Sequence, residues 1–503
     1  MSTSKKLISN TVFLFLDWLV VTLMGFLYWL IAGKILLPKE YGIVSTSLNL
    51  ALMLSGISLL GINIANQKLI PEFIARKAKR KVNSLIKFSL KVSTLSSLSF
   101  SISLFLLSPF LSSILNIPQI AIIFASILLL AIAYSSQLGS IIYGFQNMKK
   151  FLITNVFGQI AKTSLAALLI LLGFGYLGPL IAFIICFLII DILRFLSIPF
   201  RREYAKINER KVLFDYAFPA FISNLAWTIF MNGQYVLLTA LTNAGETGIF
   251  TVAMILTSLI AVIPNTLTLG LFPIISQLSI DHSTKKKQSY LIRLVFRYAF
   301  LITLPVALFL IIFSKPVILI FSSEKYLEAS ALFPILAFAS IIYGCGNIFL
   351  RNLYAIGKTK LNRNIVIVTT LSFLIFAFPL ISLFKAFGSA LSYLLAVLIL
   401  FFLSFYFIRK FLRVSLPLKD MGKILLASSI AFSFLYSATY FTSGLLIGLI
   451  LSIVAAIIYL WILLSLNFYK KEDLKILEFF ASKSPFFKKQ LSLLLKFLSK
   501  RVK

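Results

Sequence analysis

Runs of about 20 apolar residues follow one another along the whole chain, and each is long enough to cross the hydrocarbon core of a bilayer as a helix. Over 503 residues the chain is 60% apolar, where soluble domains stay near about 45–50%. Strands of a membrane barrel would be about 10 residues long with strict alternation. These runs are twice that length and do not alternate. The reading is an all-α polytopic membrane protein. The first run starts near Ile8 and lasts about 25 residues without a small-residue cleavage site, so it is a span rather than a signal peptide.

Fourteen spans are expected, at about 9–33, 42–66, 86–112, 118–144, 151–173, 177–199, 214–241, 247–274, 294–321, 328–354, 362–384, 388–408, 422–441 and 443–468. The loops between them alternate in charge. The loop after span two carries Lys68, Arg76, Lys77, Lys79, Arg80 and Lys81, and the loop after span six carries Arg201, Arg202, Lys206, Arg210 and Lys211. Lys285, Lys286 and Lys287 follow span eight, and Arg409, Lys410, Arg413 and Lys423 follow span twelve. The loops after spans three, five and thirteen carry no charge. Lys and Arg collect on the cytoplasmic side, so both termini are expected there, in the cytoplasmic membrane. A missed span would invert half of this pattern.

An internal duplication is visible in two echoes. Glu40-Tyr41-Gly42-Ile43 opens one apolar run, and Glu246-Thr247-Gly248-Ile249 opens another 206 positions later. Tyr143 precedes Lys149 by six residues at one helix end, and Tyr354 precedes Lys360 by six at another, 211 positions on. Two echoes at nearly one offset indicate a repeat of about six spans. An even number makes both copies enter from the same side, as in parallel transporter repeats with an axis along the membrane normal. Residues 1–207 and 208–413 are then two six-helix bundles, and 414–503 holds two extra spans and a basic tail. After Pro485 that tail mixes apolar and lysine positions at helical spacing, which suits a helix on the cytoplasmic leaflet.

Several chemistries have little to work with. Cys186 and Cys345 are the two cysteines, each inside a span, so no disulfide framework is expected. The one histidine is His282, in a polar loop, which leaves no basis for a metal site, a cofactor or His-based acid/base catalysis. The net charge of +33 is read as loops that set orientation and meet anionic lipid, with no nucleic-acid role.

Ionisable groups inside spans are costly, and each is a functional candidate. Asp17 lies in span one, Lys91 in span three, Lys162 in span five, and Asp191 and Arg194 in span six. All fall within roughly 7–17 Å of the cytoplasmic edge at 1.5 Å per residue, and could line one polar pocket. Structural readings compete with this. Asp191 and Arg194 are spaced i, i+3 and can neutralise each other on one helix face. Lys91 can snorkel to the interface. Lys162 is too deep to snorkel and is expected either to pair with Asp17 or Asp191 or to face a cavity. The second half offers Asn224, Asn232, Gln234 and Asn265, amides that often only bridge helices, and Arg297 near the cytoplasmic end of span nine.

Leu37-Pro38-Lys39-Glu40-Tyr41-Gly42 after span one, Gly270-Leu271-Phe272-Pro273-Ile274-Ile275-Ser276 at the end of span eight, and the stretch 313–360 with Ala355-Ile356-Gly357-Lys358-Thr359-Lys360 resemble the polysaccharide-biosynthesis, Wzx-like oligosaccharide flippases of the MOP (MATE-like) superfamily. The resemblance covers nearly the full length. It implies two six-helix bundles facing each other across a central cavity, and transport without enzymatic chemistry. The implied substrate is a lipid-linked oligosaccharide on a polyprenyl phosphate or pyrophosphate, with glycan-assembly enzymes as potential partners. Lys162, Arg194, Lys91 or Arg297 would supply cations for the phosphate. Gln234 stands where the family often has Asp, so a carboxylate role there is open. Two alternatives stay open beside this reading: a MATE-type drug or cation antiporter, which needs an acidic, aromatic-lined cavity, and a membrane glycosyltransferase or polymerase, which usually needs an acidic cluster on a sizeable outer loop.

Overall fold

The computed structural model describes residues 3–199, 203–441, 445–470 and 473. Among these the chain is helical, with no strand. The helices are α1 (Thr3–Ile35), α2 (Pro38–Ser58), α3 (Ile62–Ala75), α4 (Lys79–Leu106), α5 (Ser108–Leu115), α6 (Gln119–Gly144), α7 (Met148–Leu171) and α8 (Leu177–Ser197). They continue with α9 (Glu209–Leu241), α10 (Ala244–Leu278), α11 (Lys285–Ile312), α12 (Ser314–Phe321), α13 (Phe333–Ala355), α14 (Thr359–Leu412), α15 (Leu418–Phe441) and α16 (Leu445–Ser465). Twelve helical stretches among the described residues are long and apolar enough to cross a membrane, and a shorter apolar helix follows at Ile450–Ser465.

One departure from the expected spans has a local cause. Span two is broken: Leu60 and Gly61 both take positive φ, 49° and 74°, and split it into α2 and α3. The expected gap between spans eleven and twelve is a kink inside the range given for α14: Lys385 leaves helical geometry at φ 52° and ψ −127°, which divides it into two helices. The basic helix expected after Pro485 lies outside the described residues.

The helices sort into two compact units, and the division does not follow chain order. Unit 1 holds residues 1–256, 317–339 and 359–400, and unit 2 holds 257–316, 340–358 and 401–503. In unit 1, α4 turns a stripe of small residues inward at four-residue spacing: Ser89, Ser93, Ser97 and Ser101 are all buried. Small residues let helix backbones approach closely in lipid. Most of these hydroxyls bond within their own helix, but Ser101 donates to the Ser126 carbonyl of α6 at 2.8 Å. Ile62, Ile70, Leu85, Ile141 and Ala217 fill the apolar layer beside them.

The two echo tetrapeptides meet inside unit 1. A Cβ on Gly42 would lie 1.6 Å from the Ala244 carbonyl oxygen, and one on Gly248 would lie 2.0 Å from that of Pro38. Ser45 and Thr251 share a hydroxyl–hydroxyl bond of 2.8 Å across a separation of 206, the offset of the echoes themselves. Residue i touching j′ while j touches i′ is the pattern of an isologous, two-fold contact. Glycine is required at both positions because backbone occupies the space of any side chain.

Candidate functional site

The polar side chains of unit 1 converge where α1, α6, α7 and α8 pack together. On α7, Asn155, Gln159 and Lys162 stand at i, i+4, i+7 and so share one helix face. Asn155 is the link. Its Nδ2 donates to Asp17 Oδ1 of α1 at 2.7 Å, and its Oδ1 accepts from Arg194 Nη2 of α8 at 2.8 Å. Asp17 is half-buried and Arg194 is buried.

Arg194 is fully employed. Nη1 donates to the Ser135 carbonyl at 2.6 Å and to its hydroxyl at 2.9 Å, and Nε donates to Thr154 Oγ1 at 3.3 Å. The guanidinium lies 4.5 Å over the Phe151 ring. Gly139 makes room for it, since a Cβ there would stand 2.7 Å from Nη1. Among the described residues it makes no ion pair with Asp191, so the i, i+3 neutralisation expected from the sequence is not what holds it. Its donors reach across to α6 and α7 instead. Asp191 is half-buried, and its Oδ1 is buried without a hydrogen-bond partner.

Lys162 is buried, with 4% of its surface exposed. Its Nζ donates to Gln159 Oε1 at 2.5 Å and sits 5.1 Å over the Tyr28 ring and 5.0 Å over the Phe183 ring. Among the described residues no carboxylate lies within ion-pair distance of it. The expected pairing with Asp17 or Asp191 is therefore replaced by an amide and two aromatic faces. An ammonium has three donors, and one is used. Ring quadrupoles attract the cation. Tyr28 Oη is itself buried without a hydrogen-bond partner.

The other candidates stand apart from this cluster. Lys91 is exposed on α4. On α9, Asn232 donates back to the Thr228 carbonyl at 3.0 Å, and Gln234 donates to the Met231 carbonyl at 3.2 Å while its Oε1 is buried and unpartnered. Asn224 reaches the Gly56 carbonyl at 3.1 Å, bridging α9 to α2. In unit 2, Asn265 accepts from Asn347 at 2.5 Å, and Arg297 is held by Asp473 and Asp420. Sequence reasoning that follows charge alone passes over Asn155 and Gln159. The signal was available, because their spacing to Lys162 marks one polar face on an otherwise apolar helix.

Unit 2 has a separate apolar cavity of about 430 Å³ between α11, α15 and α16. Pro305, Phe309, Phe432, Ala455 and Leu460 are among its walls, with Ser428, Ser452 and Tyr459 as polar exceptions. Cys186 and Cys345 are free and buried. No group of three His, Cys, Asp or Glu among the described residues is placed to hold a metal.

Helices of membrane-crossing length packed around buried, hydrogen-bonded charges define a multi-pass membrane protein. The chain belongs to the polysaccharide biosynthesis protein family, whose family model matches residues 7–279. Over 143 residues it is 29% identical to the uncharacterized membrane protein MJ1068 of Methanocaldococcus jannaschii, covering 28% of this chain and 28% of that protein. The match thus spans less than a third of the length of that curated relative. Among solved structures it is similar to the lipid II flippase MurJ in an inward closed conformation, with a TM-score of 0.72 at 19% identity, over 90% of this chain and 98% of that one. It is also similar to a multidrug resistance MATE family transporter of the MOP superfamily in an inward-facing conformation, with a TM-score of 0.67 at 17% identity, over 81% of this chain and 99% of that one. A MOP superfamily transporter from Pyrococcus furiosus gives 0.53 at 15% identity, over 81% and 96%. At these identities the likeness is one of fold.

Proposed function

We propose that the chain is a flippase that carries a lipid-linked oligosaccharide, on polyprenyl phosphate or pyrophosphate, across the cytoplasmic membrane by alternating access. Both termini would lie in the cytoplasm, with anionic lipid at the basic loops. A sugar head cannot cross hydrocarbon unaided, because its hydroxyls would lose their hydrogen bonds to water. A transporter must therefore offer polar partners to the head and a cation to the phosphate. The observation that carries this reading is Lys162: a buried ammonium resting on two rings, with one hydrogen bond and no carboxylate. Tyr28 and Phe183 suit the apolar faces of sugar rings as well as the cation. Asp17, Asn155 and Arg194 already satisfy one another, so they would frame this site rather than clamp the phosphate. The apolar cavity of unit 2 has the chemistry for part of an isoprenoid chain.

Lys162→Ala should abolish export in a glycan-export complementation assay while leaving abundance within about two-fold, and Lys162→Arg should keep part of it because the charge survives. Normal export by Lys162→Ala would make the residue structural and remove the main support for the reading. A second reading, a MATE-type cation antiporter, draws on the half-buried Asp17 carboxylate. It is disfavoured by Arg194, one amide away, which makes that corner unattractive to a cation. Cation-driven drug efflux in whole cells, lost in Asp17→Asn, would favour it.

A further inference from the structure

Lys162 sits in a corner built by three helices of unit 1. Gly158 brings α7 hard against α8: a Cβ there would stand 2.4 Å from Ile190 and 3.0 Å from the Cys186 carbonyl oxygen. Phe183 lies about one turn before Cys186 on α8. On the other side Thr163 Oγ1 donates to the Met24 carbonyl of α1 at 3.4 Å, and Tyr28 follows Met24 by about one turn. The Tyr28 and Phe183 rings meet edge to face, with centroids 4.7 Å apart and planes at 65°. They bound one small space, and the Lys162 ammonium stands over both.

Gln159 holds the ammonium in this corner. The side chain is buried, and its Oε1 accepts from Lys162 Nζ. An amide fixes the position of a cation and leaves its charge in full. A glutamate has the same length and would cancel that charge, because i, i+3 is ion-pair spacing on a helix. Asp17, the carboxylate of α1, is taken up by Asn155 about two turns away on α7. The Tyr28 hydroxyl is the second group without an internal explanation. The residue has no exposed surface, and among the described residues its Oη bonds nothing. Buried hydroxyls are normally hydrogen-bonded, so an unpartnered one points to a group that occupies the site at another time.

The corner therefore offers one uncancelled positive charge, spare N–H donors on Lys162 and a spare O–H donor on Tyr28. Its guest must bring negative charge and acceptor oxygens. A phosphate has both, and hydrogen bonds from such donors to an ionised oxygen are the strong kind. A sugar hydroxyl has no charge to match. We propose that Lys162 and Tyr28 form an anion subsite for the phosphate of a lipid carrier, with Gln159 as its positioning residue: the amide pins the ammonium between the two rings without cancelling it, and Tyr28 Oη is the second donor to the same phosphate in the state that opens the corner. This deepens the flippase reading above and rests on it.

The test is a ratio. Full-length protein in nanodiscs of neutral lipid is titrated with a polyprenyl phosphate and with the polyprenol of the same length, and the two Kd values are compared, so that any change in binding of the tail cancels. The parent should prefer the phosphate by about ten-fold or more. Gln159→Glu should bring the ratio to about one, because the new carboxylate takes the charge. Tyr28→Phe keeps the ring under the ammonium and removes only a hydroxyl that bonds nothing, so it should elute and melt as the parent does while the ratio falls about three-fold or more. A merely structural Tyr28 or Gln159 would leave the ratio where it is. Parental preference in Gln159→Glu, or, where that variant does not fold, in Tyr28→Phe, overturns the subsite. Displacement of the lipid by millimolar inorganic phosphate would assign the corner to a free ion and overturn the lipid-carrier class. A parent with no preference for the phosphate brings down the flippase reading and the subsite together. If the ratios move as expected but glycan export in cells does not depend on the protein, the flippase reading falls and the anion subsite stands.

Discussion

Adding one methyl group at Gly42 should prise apart the crossing of α2 with α10. The Cβ of Gly42→Ala would lie 1.6 Å from the Ala244 carbonyl oxygen, and ordinary contact begins at 3.4 Å. The obstacle is backbone, so no rotamer relieves it, and the helices must separate by about 1.8 Å, the shortfall against that contact distance. The Ser45–Thr251 bond, now 2.8 Å, lies about one turn further along and would stretch to about 4.6 Å, beyond any hydrogen bond. Its loss costs about 0.5–1.5 kcal/mol. Overpacking a tight contact adds about 1–3 kcal/mol. A total of about 1.5–4.5 kcal/mol depopulates the crossed arrangement roughly 10- to 1,500-fold, at about 1.4 kcal/mol per decade. The assay is oxidative cross-linking of Ser45→Cys with Thr251→Cys in membranes. Gly42→Ala should lower the initial cross-linking rate at least ten-fold. Gly25→Ala, where nothing lies within 4 Å, should leave it unchanged. Parental cross-linking in Gly42→Ala would show that backbone contact does not hold the crossing, and the isologous reading would lose its physical basis.

Four further outcomes follow from the same geometry. Thiols at Lys79→Cys and Ser283→Cys should label only from the cytoplasm, and those at Asn116→Cys and Asn243→Cys only from outside; all four positions are exposed, and the reverse pattern defeats the fourteen-span topology with inner termini. Arg194→Met should lower the melting temperature in detergent, since Ser135, Thr154 and Asn155 lose their donor at about 1–3 kcal/mol for each buried group left unsatisfied; an unchanged melting temperature would show that water replaces the guanidinium. Burial alone would push the Asp473 carboxyl up, but hydrogen bonds from Arg297, Tyr298 and the Lys470 amide, with the guanidinium charge, hold it below the usual carboxylate range. A lowered folded value means that its contribution is present above the unfolded value of about 3.9 and lost as pH falls through the folded one; the melting-temperature difference between the parent and Asp473→Asn should therefore be flat from pH 7 to about 5 and shrink only below about 4. Finally, an experimental structure should superpose residues 9–199 on 214–408 by a near-two-fold rotation about the membrane normal, and an axis in the membrane plane would refute the duplication with its domain limits at 207 and 413.

What the sequence discloses and what it withholds divide along a physical line. Span positions depend on how long a run stays apolar, a property of each segment alone, so helices fall close to the expected places from α4 onward. The break at Leu60–Gly61 is a matter of two backbone angles, which composition does not encode. The echoes Glu40–Ile43 and Glu246–Ile249 are readable because a repeated tetrapeptide pattern shows in the sequence itself. Their mutual contact is not, because nothing in a repeat says which of its copies' faces meet. The polar residues show the limit most sharply. That Asp17, Lys162, Asp191 and Arg194 are costly in a span is evident from charge and depth alone. Charge also suggests pairing cations with anions, and here it misleads: Arg194 spends its donors on neutral oxygens, and Lys162 rests on an amide and two rings. In a low-dielectric interior a neutral acceptor that is already in place competes well with a carboxylate that must itself be desolvated. Asn155 and Gln159 are such acceptors, set by the α7 helix at the spacing that brings both to the face of Lys162. Amides on the same helix face as a buried charge should therefore be read as its first partners, ahead of distant carboxylates. Arg297 obeys the opposite rule for the same reason. Two acids are delivered to it, Asp420 from α15 and Asp473 from beyond α16, and their charge repays the burial of the guanidinium.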